Sequence, residues 1–316
     1  MYQSLEKNCS IFHLYIFAFD DEAHQVLTKL MLKNATVISL KEFESEELLS
    51  IKPSRTAGEY CWTCTPATIL YCIQKYQLNN CTYVDSDLLF FADPKLLIDE
   101  LGADHSVLIT DHRYTPEYDQ TETSGKYCVQ FITFKNATEG LLVLNWWYQA
   151  CLEWCFNRME DNKFGDQKYL DDWSTRFKGV HELKHLGGGV APWNTQQYTF
   201  SEVNKKILGT EISTGKKFDL IFYHYHGLKY CTNNIFDVSM YNLNRNVLSY
   251  IYKPYIRSLK QAEKKIVGVN AHIASHEELE INWMWRSIRR TILVILRGYY
   301  KNYYHKNYLL KSGLSN

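Results

Sequence analysis

The segment Ile11–Leu40 constrains the fold more than any other stretch of the chain. Ile11–Phe19 is a continuous apolar run that stops at Asp20-Asp21, the pattern of a strand buried on both faces. Glu22–Leu32 then repeats apolar residues at helical spacing, with Ala23, Val26, Leu27, Leu30 and Met31 on one side. Thr36–Leu40 follows as a second short strand. A strand, a helix and a strand in succession open a doubly wound sheet, whose ligands collect at the carboxyl ends of its strands.

The alternation continues downstream. Glu46–Ile51 predicts a short helix, and Pro66–Tyr76 a longer one with proline near its first turn. Cys81–Val84 reads as a strand halted by Asp85, and Ser106–Thr110 and Val129–Phe134 as further strands. Gly140–Asn157 is an apolar, Trp-rich helix, and Phe218–Tyr223 a strand ending at His224. With 316 residues, 46% of them hydrophobic, the chain has core material for one large α/β domain, placed at residues 1–270. Residues 271–316 change character. Glu277–Lys311 reads as helix, and from Ile281 onward there is no Asp or Glu but seven Arg or Lys. Ile281, Trp285, Ile288, Ile292 and Ile295 recur at three or four residues, with Arg286, Arg289, Arg290 and Arg297 on other faces. Such a basic amphipathic tail lies on an anionic membrane surface or packs on the main domain, and the stripe satisfies both.

Composition removes several classes of function. A formal net charge of zero gives no electrostatic argument for nucleic acid as a partner. The expectation is a cytoplasmic protein, peripheral on the inner face of the plasma membrane if the tail binds there. No export signal opens the sequence, and no run of about 18 apolar residues would span a bilayer. The nine Cys are odd in number and scattered, which fits a reducing compartment. Cys61 and Cys64, and Cys151 and Cys155, form close pairs without the further ligands a zinc site needs, and read as buried thiols. Aromatic residues reach 15%; their faces suit sugar rings and uracil-type bases, and equally fill a core.

The chemistry concentrates at two strand ends. In Asp85-Ser86-Asp87 the carboxylates are two residues apart on extended chain, so both project toward one cation. Hard oxygen ligands suit magnesium or manganese, which also grip phosphate oxygens. A lone D-x-D is a weak signal, and a solvated turn is its plain reading. The second element is His224-Tyr225-His226-Gly227-Leu228-Lys229. An imidazole completes a metal site begun by two carboxylates and favours manganese; glycine admits a phosphate, and Lys229 neutralises it. Gly187-Gly188-Gly189 before Ala191-Pro192-Trp193-Asn194, and Asp111-His112-Arg113 after a predicted strand, are further loop clusters. For these a sugar contact and an ordinary hydrogen-bonded turn both remain open.

Tyr83-Val84-Asp85-Ser86-Asp87, Gly165-Asp166-Gln167 and His224-x-x-Gly227-x-Lys229 occur in the order seen in GT-A glycosyltransferases. They look most like family 8, which includes glycogenin and bacterial lipopolysaccharide galactosyltransferases. Arg55 through Asn194 also resembles bacterial glycosyltransferases of surface-polysaccharide clusters. The shared phrases there are Glu59-Tyr60-Cys61-Trp62-Thr63, Phe164-Gly165-Asp166-Gln167-Lys168-Tyr169-Leu170 and Ala191-Pro192-Trp193-Asn194. The resemblance covers roughly residues 11–230. One departure is that Lys229 is followed by Tyr230, where family 8 has one more residue before the lysine and Pro-Trp after it.

What the resemblance implies is a GT-A, Rossmann-like mixed β-sheet with helices on both faces, followed by a helical C-terminal appendage. It implies a glycosyltransferase that moves a sugar from a nucleotide-diphosphate donor, UDP-sugar favoured, to a saccharide acceptor of bacterial surface polysaccharide, with retention of configuration. The acceptor would be lipid-linked if the tail meets a membrane. Asp85, Asp87 and His224 would hold Mn2+ or Mg2+. Lys229 and Gly227 would meet the diphosphate, Asp166 the donor-sugar hydroxyls, and Gln167 the anomeric carbon. Asp20 would face the nucleotide and Arg55 the sugar or diphosphate. The rivals are a sugar nucleotidyltransferase, disfavoured because Ile11–Leu30 has no glycine, and a non-catalytic carbohydrate-binding or scaffold protein.

Overall fold

The computed structural model describes residues 1–273, 276, 292, 296 and 302–306. The chain divides into two compact units, Met1–Val190 with Leu220–His224, and Ala191–Asp219 with Tyr225–Asn316.

The first unit is mixed α/β. Helix α1 (Tyr2–Asn8) precedes strand β1 (Leu14–Ala18), helix α2 (Asp21–Lys29) and strand β2 (Ala35–Ser39). The two strands pair in parallel, Leu14 opposite Ala35 through Ala18 opposite Ser39, so the expected strand–helix–strand opening is present. The pair forms a two-stranded sheet of its own, and Leu14–Phe17 are half-buried rather than covered on both faces. Asp20 ends that first strand and caps α2, accepting from Ala23 N–H at 2.6 Å.

Helix α3 spans Ala57–Tyr76 and starts nine residues before the position read from sequence, so Pro66 lies inside it. A capping box sets its true start: Glu59 N–H donates to the Thr56 hydroxyl, and the Glu59 carboxylate accepts from Thr56 N–H. Next come β3 (Asn80–Val84), β4 (Leu88–Phe90), β5 (Val107–Asp111), β6 (Tyr127–Lys135), helix α4 (Thr138–Glu153) and β7 (Val180–Glu182). They build a four-stranded sheet of order β3-β6-β5-β7, antiparallel except for the β5/β7 pair.

Both faces of that sheet are covered. On one, Ile69 and Ile73 of α3 and Val143, Leu144 and Trp147 of α4 pack against Val107 and Ile109. On the other, Leu108 and Phe131 meet Leu5 of α1, Leu97 of the short helix Lys95–Ile98, and Phe222. Val107, Leu108 and Ile109 alternate faces as the strand period requires. In β6 the alternation breaks. Tyr127 and Val129 belong to the first cluster, Phe131 to the second, and Ile132 and Phe134 to the first again. The register slips at the same place, with Leu108 opposite Thr133 but Thr110 opposite Cys128.

The predicted strand Phe218–Tyr223 is two strands. Lys217–Asp219 belongs to the second unit, and Phe222–His224 pairs antiparallel with β4 in the first. The apolar run is continuous because Leu220 and Ile221 between the strands are themselves buried. Cys64, Cys151 and Cys155 are buried thiols as expected, whereas Cys61 is exposed on α3.

Among its described residues the second unit holds two antiparallel three-stranded sheets. One joins Tyr198–Val203, Lys206–Glu211 and Lys217–Asp219; the other joins Lys229–Cys231, Ile235–Asp237 and Tyr303–His305. Its long helix is Lys253–Val269, and the Tyr225 and Tyr255 rings stack 3.6 Å apart. The Tyr303–His305 strand interrupts the helix expected over Glu277–Lys311, because its backbone completes a sheet with Ile235–Asp237. Most of that predicted helix lies outside the described residues, including Ile281, Trp285, Ile288, Ile295, Arg286, Arg289, Arg290 and Arg297. No helix among the described residues is long and apolar enough to cross a membrane.

Candidate metal centre

Strand pairing, rather than chain proximity, assembles the centre. Strand β3 ends at Val84, and Asp85-Ser86-Asp87 turns the chain into β4. The antiparallel pairing of β4 sets His224 opposite Leu88, the residue after Asp87. As a result His224 Nε2 lies 3.1 Å from Asp87 Oδ1 and 3.6 Å from Asp85 Oδ2. One ligand atom from each of the three residues falls within 4.8 Å of the others. Two carboxylate oxygens and one imidazole nitrogen at this spacing fit a divalent cation such as manganese or magnesium.

The three groups differ in access to solvent. The His224 side chain is 6% exposed, against 28% for Asp85 and 40% for Asp87, so the cluster opens to solvent on its carboxylate side. Burial alone would lower the imidazole pKa, but the charge of Asp87, with that of Asp85, outweighs it and holds His224 well above its ordinary value. Burial raises the Asp85 pKa and the neighbouring Asp87 adds to this, while His224 and a hydrogen bond from Tyr83 oppose it. In the metal-free protein the two carboxylates thus favour the charged form of the His224 ring.

Several neighbours fix the geometry. The Tyr83 hydroxyl donates to Asp85 Oδ1 at 2.9 Å, and Asp85 N–H donates to the Gln130 carbonyl at 3.1 Å. His224 N–H donates to the Val190 carbonyl at 2.9 Å, which ties the histidine to the end of the glycine-rich segment. Arg113 anchors that segment through the Leu186 and Gly188 carbonyls, and Asp111 accepts from Arg113 N–H at 2.6 Å. The Asp111-His112-Arg113 cluster is therefore a hydrogen-bonded brace for the glycines.

Asp166 joins the same neighbourhood. Its carboxyl is buried and pushed up to about 7, chiefly by desolvation, with the Asp85 charge adding and a Thr65 hydrogen bond opposing. Gly165 before it has φ +52°, and a Cβ there would sit 3.3 Å from the Trp62 ring of α3. Trp147 Nε1 donates to the Asp166 carbonyl at 2.9 Å. The phrase containing Trp62 and the phrase containing Gly165-Asp166 are thus two sides of one contact. Gln167 follows, half-buried, at the start of a 3-10 helix.

The other predicted residues are placed as follows. Asp20 is an exposed helix cap, and Arg55 lies over the Phe156 ring at 3.9 Å and donates to the Leu152 carbonyl at 3.2 Å. Gly227 and Lys229 belong to the second unit, where Gly227 has φ +74° and Lys229 opens the strand Lys229–Cys231. Trp193 is buried in that unit, its ring 5.4 Å from that of His226. Sequence reasoning missed Gln130, whose side-chain oxygen lies 2.7 Å from His224 Nδ1. The available signal was a lone amide inside the otherwise apolar Val129–Phe134 run.

The first unit is therefore an α/β domain carrying an Asp–Asp–His cluster suited to a divalent cation at its strand ends. No family model matches the sequence. The chain is 33% identical over 270 residues to YfnD of Bacillus subtilis (strain 168), covering 83% of this chain and 84% of that one. It is 32% identical over 267 residues to YfnF of the same organism, covering 82% and 86%. It belongs to the family of these two proteins. Among solved structures it aligns with a glycosyltransferase involved in glycosylation of the major capsid of PBCV-1, at 12% identity and TM-score 0.37, over 68% of this chain and 93% of that one. It also aligns with the glycosyltransferase GlyE of Streptococcus pneumoniae TIGR4, at 15% identity and TM-score 0.34, over 58% and 42%.

Proposed function

We propose that the protein is a metal-dependent glycosyltransferase of GT-A type, taking a nucleotide-diphosphate sugar as donor and a saccharide as acceptor. The observation that supports this most is the convergence of Asp85, Asp87 and His224 at strand ends, with buried Asp166 beside Asp85. Asp85, Asp87 and His224 hold Mn2+ or Mg2+. The bound cation supplies Lewis-acid stabilisation of the departing diphosphate. Tyr83 orients Asp85 by its hydrogen bond, and Asp166, its carboxyl pushed up to about 7, exchanges hydrogen bonds with donor-sugar hydroxyls. Gln167 lies next to the anomeric carbon in a retaining reaction.

Diphosphate contact by Gly227 and Lys229, and donor contact by Asp20 and Arg55, rest on the resemblance of their motifs. UDP-sugar as donor, a lipid-linked surface polysaccharide as acceptor, a cytoplasmic location, and membrane contact by a tail at 271–316 are part of the same proposal. The test is thermal shift against UDP, GDP, CMP and dTDP compounds with and without manganese. A metal-dependent shift for one nucleotide, abolished in Asp87→Ala, is the expected result. No shift across the panel overturns the donor-binding reading.

A further inference from the structure

Gln130 is a polar side chain in a buried position. It lies fully buried on β6, and its amide nitrogen has no hydrogen-bond partner among the described residues. A buried unpaired donor costs about 1–3 kcal/mol. Its oxygen, by contrast, is committed at 2.7 Å to His224 Nδ1. The break in β6 alternation between Val129 and Phe131 directs Gln130 to the His224 side of the sheet.

From this geometry we infer that Gln130 is a positioning residue for the metal centre: it accepts from His224 Nδ1–H and so keeps the Nε2 lone pair facing Asp85 and Asp87. An amide oxygen can only accept, so the imidazole nitrogen facing it must carry hydrogen. The proton of the neutral ring then resides on Nδ1, and the nitrogen 3.1 Å from Asp87 Oδ1 is the one left to bind a cation. Reversing the amide would place NH2 against Nδ1 and move the ring proton to Nε2, where it would block the metal. Gly189 completes the arrangement. Its φ is +79°, and a Cβ there would stand 2.6 Å from Thr110 Cγ2 and 3.3 Å from Gln130 Nε2, so a side chain at 189 is strained and presses toward the amide.

This inference rests on the proposed cation site but not on the sugar-transfer reading, and its test uses no nucleotide. Mn2+ binding to the full chain is titrated for wild type, Gln130→Met, Gln130→Glu and His224→Ala. Met preserves volume but cannot accept a strong hydrogen bond; Glu preserves the acceptor. The expected result is a 10–100-fold loss of Mn2+ affinity in Gln130→Met, with Gln130→Glu within a few-fold of wild type. In a His224→Ala background, Gln130→Met costs nothing further, because its effect runs through the ring. The ring 15N signals of His224 in metal-free protein, at a pH where the ring is neutral, report Nδ1–H in wild type and Gln130→Glu, and a mixed tautomer in Gln130→Met. Melting curves establish that each variant is folded. Wild-type affinity in a folded Gln130→Met, or an equal loss in the His224→Ala background, overturns the inference while leaving the cation site standing. No Mn2+ binding by the wild type overturns both, and Mn2+ binding without any nucleotide effect counts against sugar transfer alone.

Discussion

The Tyr83 hydroxyl donates to Asp85 Oδ1 at 2.9 Å, two residues further along the same extended segment. The neighbours that act on this phenol include Asp166 and Thr65 as well as Asp85, and burial with these carboxylates keeps it protonated. A hydroxyl that stays a donor fixes one carboxylate oxygen and leaves the other, Oδ2, toward His224. Tyr83→Phe is expected to weaken Mn2+ binding roughly tenfold with the fold intact. Titration of the metal against wild type and variant checks this; equal affinities would show that the bond does not orient Asp85.

Asp87 is the nearer of the two carboxylates to His224 Nε2 and the largest influence raising the imidazole pKa. Asp87→Ala removes a ligand and that support together. Metal-linked stabilisation should vanish, and the His224 pKa measured by NMR in metal-free protein should fall. An unchanged His224 titration would show that Asp85 alone sustains the charge.

Cation binding must displace the proton that His224 carries on Nε2, so affinity depends on pH. Because the folded-state pKa of His224 is raised, the proton is held more tightly than in a free imidazole. Mn2+ affinity should therefore rise with pH through and above neutrality, and calorimetry in buffers of different ionisation enthalpy should report proton release. In the metal-free protein the stability contributed by the ion pair is full below the unfolded imidazole pKa and is lost as pH rises through the folded one.

Asp166 provides a separate pH signature. Its folded-state pKa of about 7 lies above the ordinary carboxylate range, so between these values the native state binds the extra proton. Its contribution to metal-free stability therefore declines as pH rises from about 4 to about 7, by an amount on the order of a few kcal/mol. Asp166→Asn, uncharged throughout, should flatten that part of the stability profile and be more stable than wild type near pH 8. A parallel offset of the two profiles would mean that Asp166 ionises normally.

Gly189 tests the brace behind His224. Its φ is +79°, and a Cβ would meet Thr110 Cγ2 at 2.6 Å and Arg113 Nη2 at 3.0 Å. Gly189→Ala should destabilise the protein by about 1–3 kcal/mol and weaken Mn2+ binding through displacement of Val190 and His224. Urea melts and metal titration on one preparation separate the two effects.

Much of this was legible in advance because local rules govern it. The parallel pair β1/β2 and its helix follow from apolar runs broken by Asp20-Asp21. Asp85 and Asp87 converge through the turn that joins β3 to β4, not through the period of an extended chain. Helix α3 was read too short because Pro66 was taken for a start signal. The capping box of Thr56 and Glu59 lies a full helix half upstream, and a proline within the helix was tolerated there. The run 218–223 was read as one strand because burial, not hydrogen bonding, makes a run apolar.

The sequence by itself determined which side chains could bind a cation and that they would stand at strand ends, since residue type and hydrophobic period are properties of short segments. Only the tertiary structure decided that Asp85, Asp87 and His224 meet. Pairing of β4 with Phe222–His224 joins residues well over a hundred positions apart, and nothing in the local pattern of either segment encodes its partner. The inferred role of Gln130 depends on the tertiary structure in the same way. An irregular register in β6 turns it toward His224, and such a break arises from how neighbouring strands fit rather than from the strand's own residues.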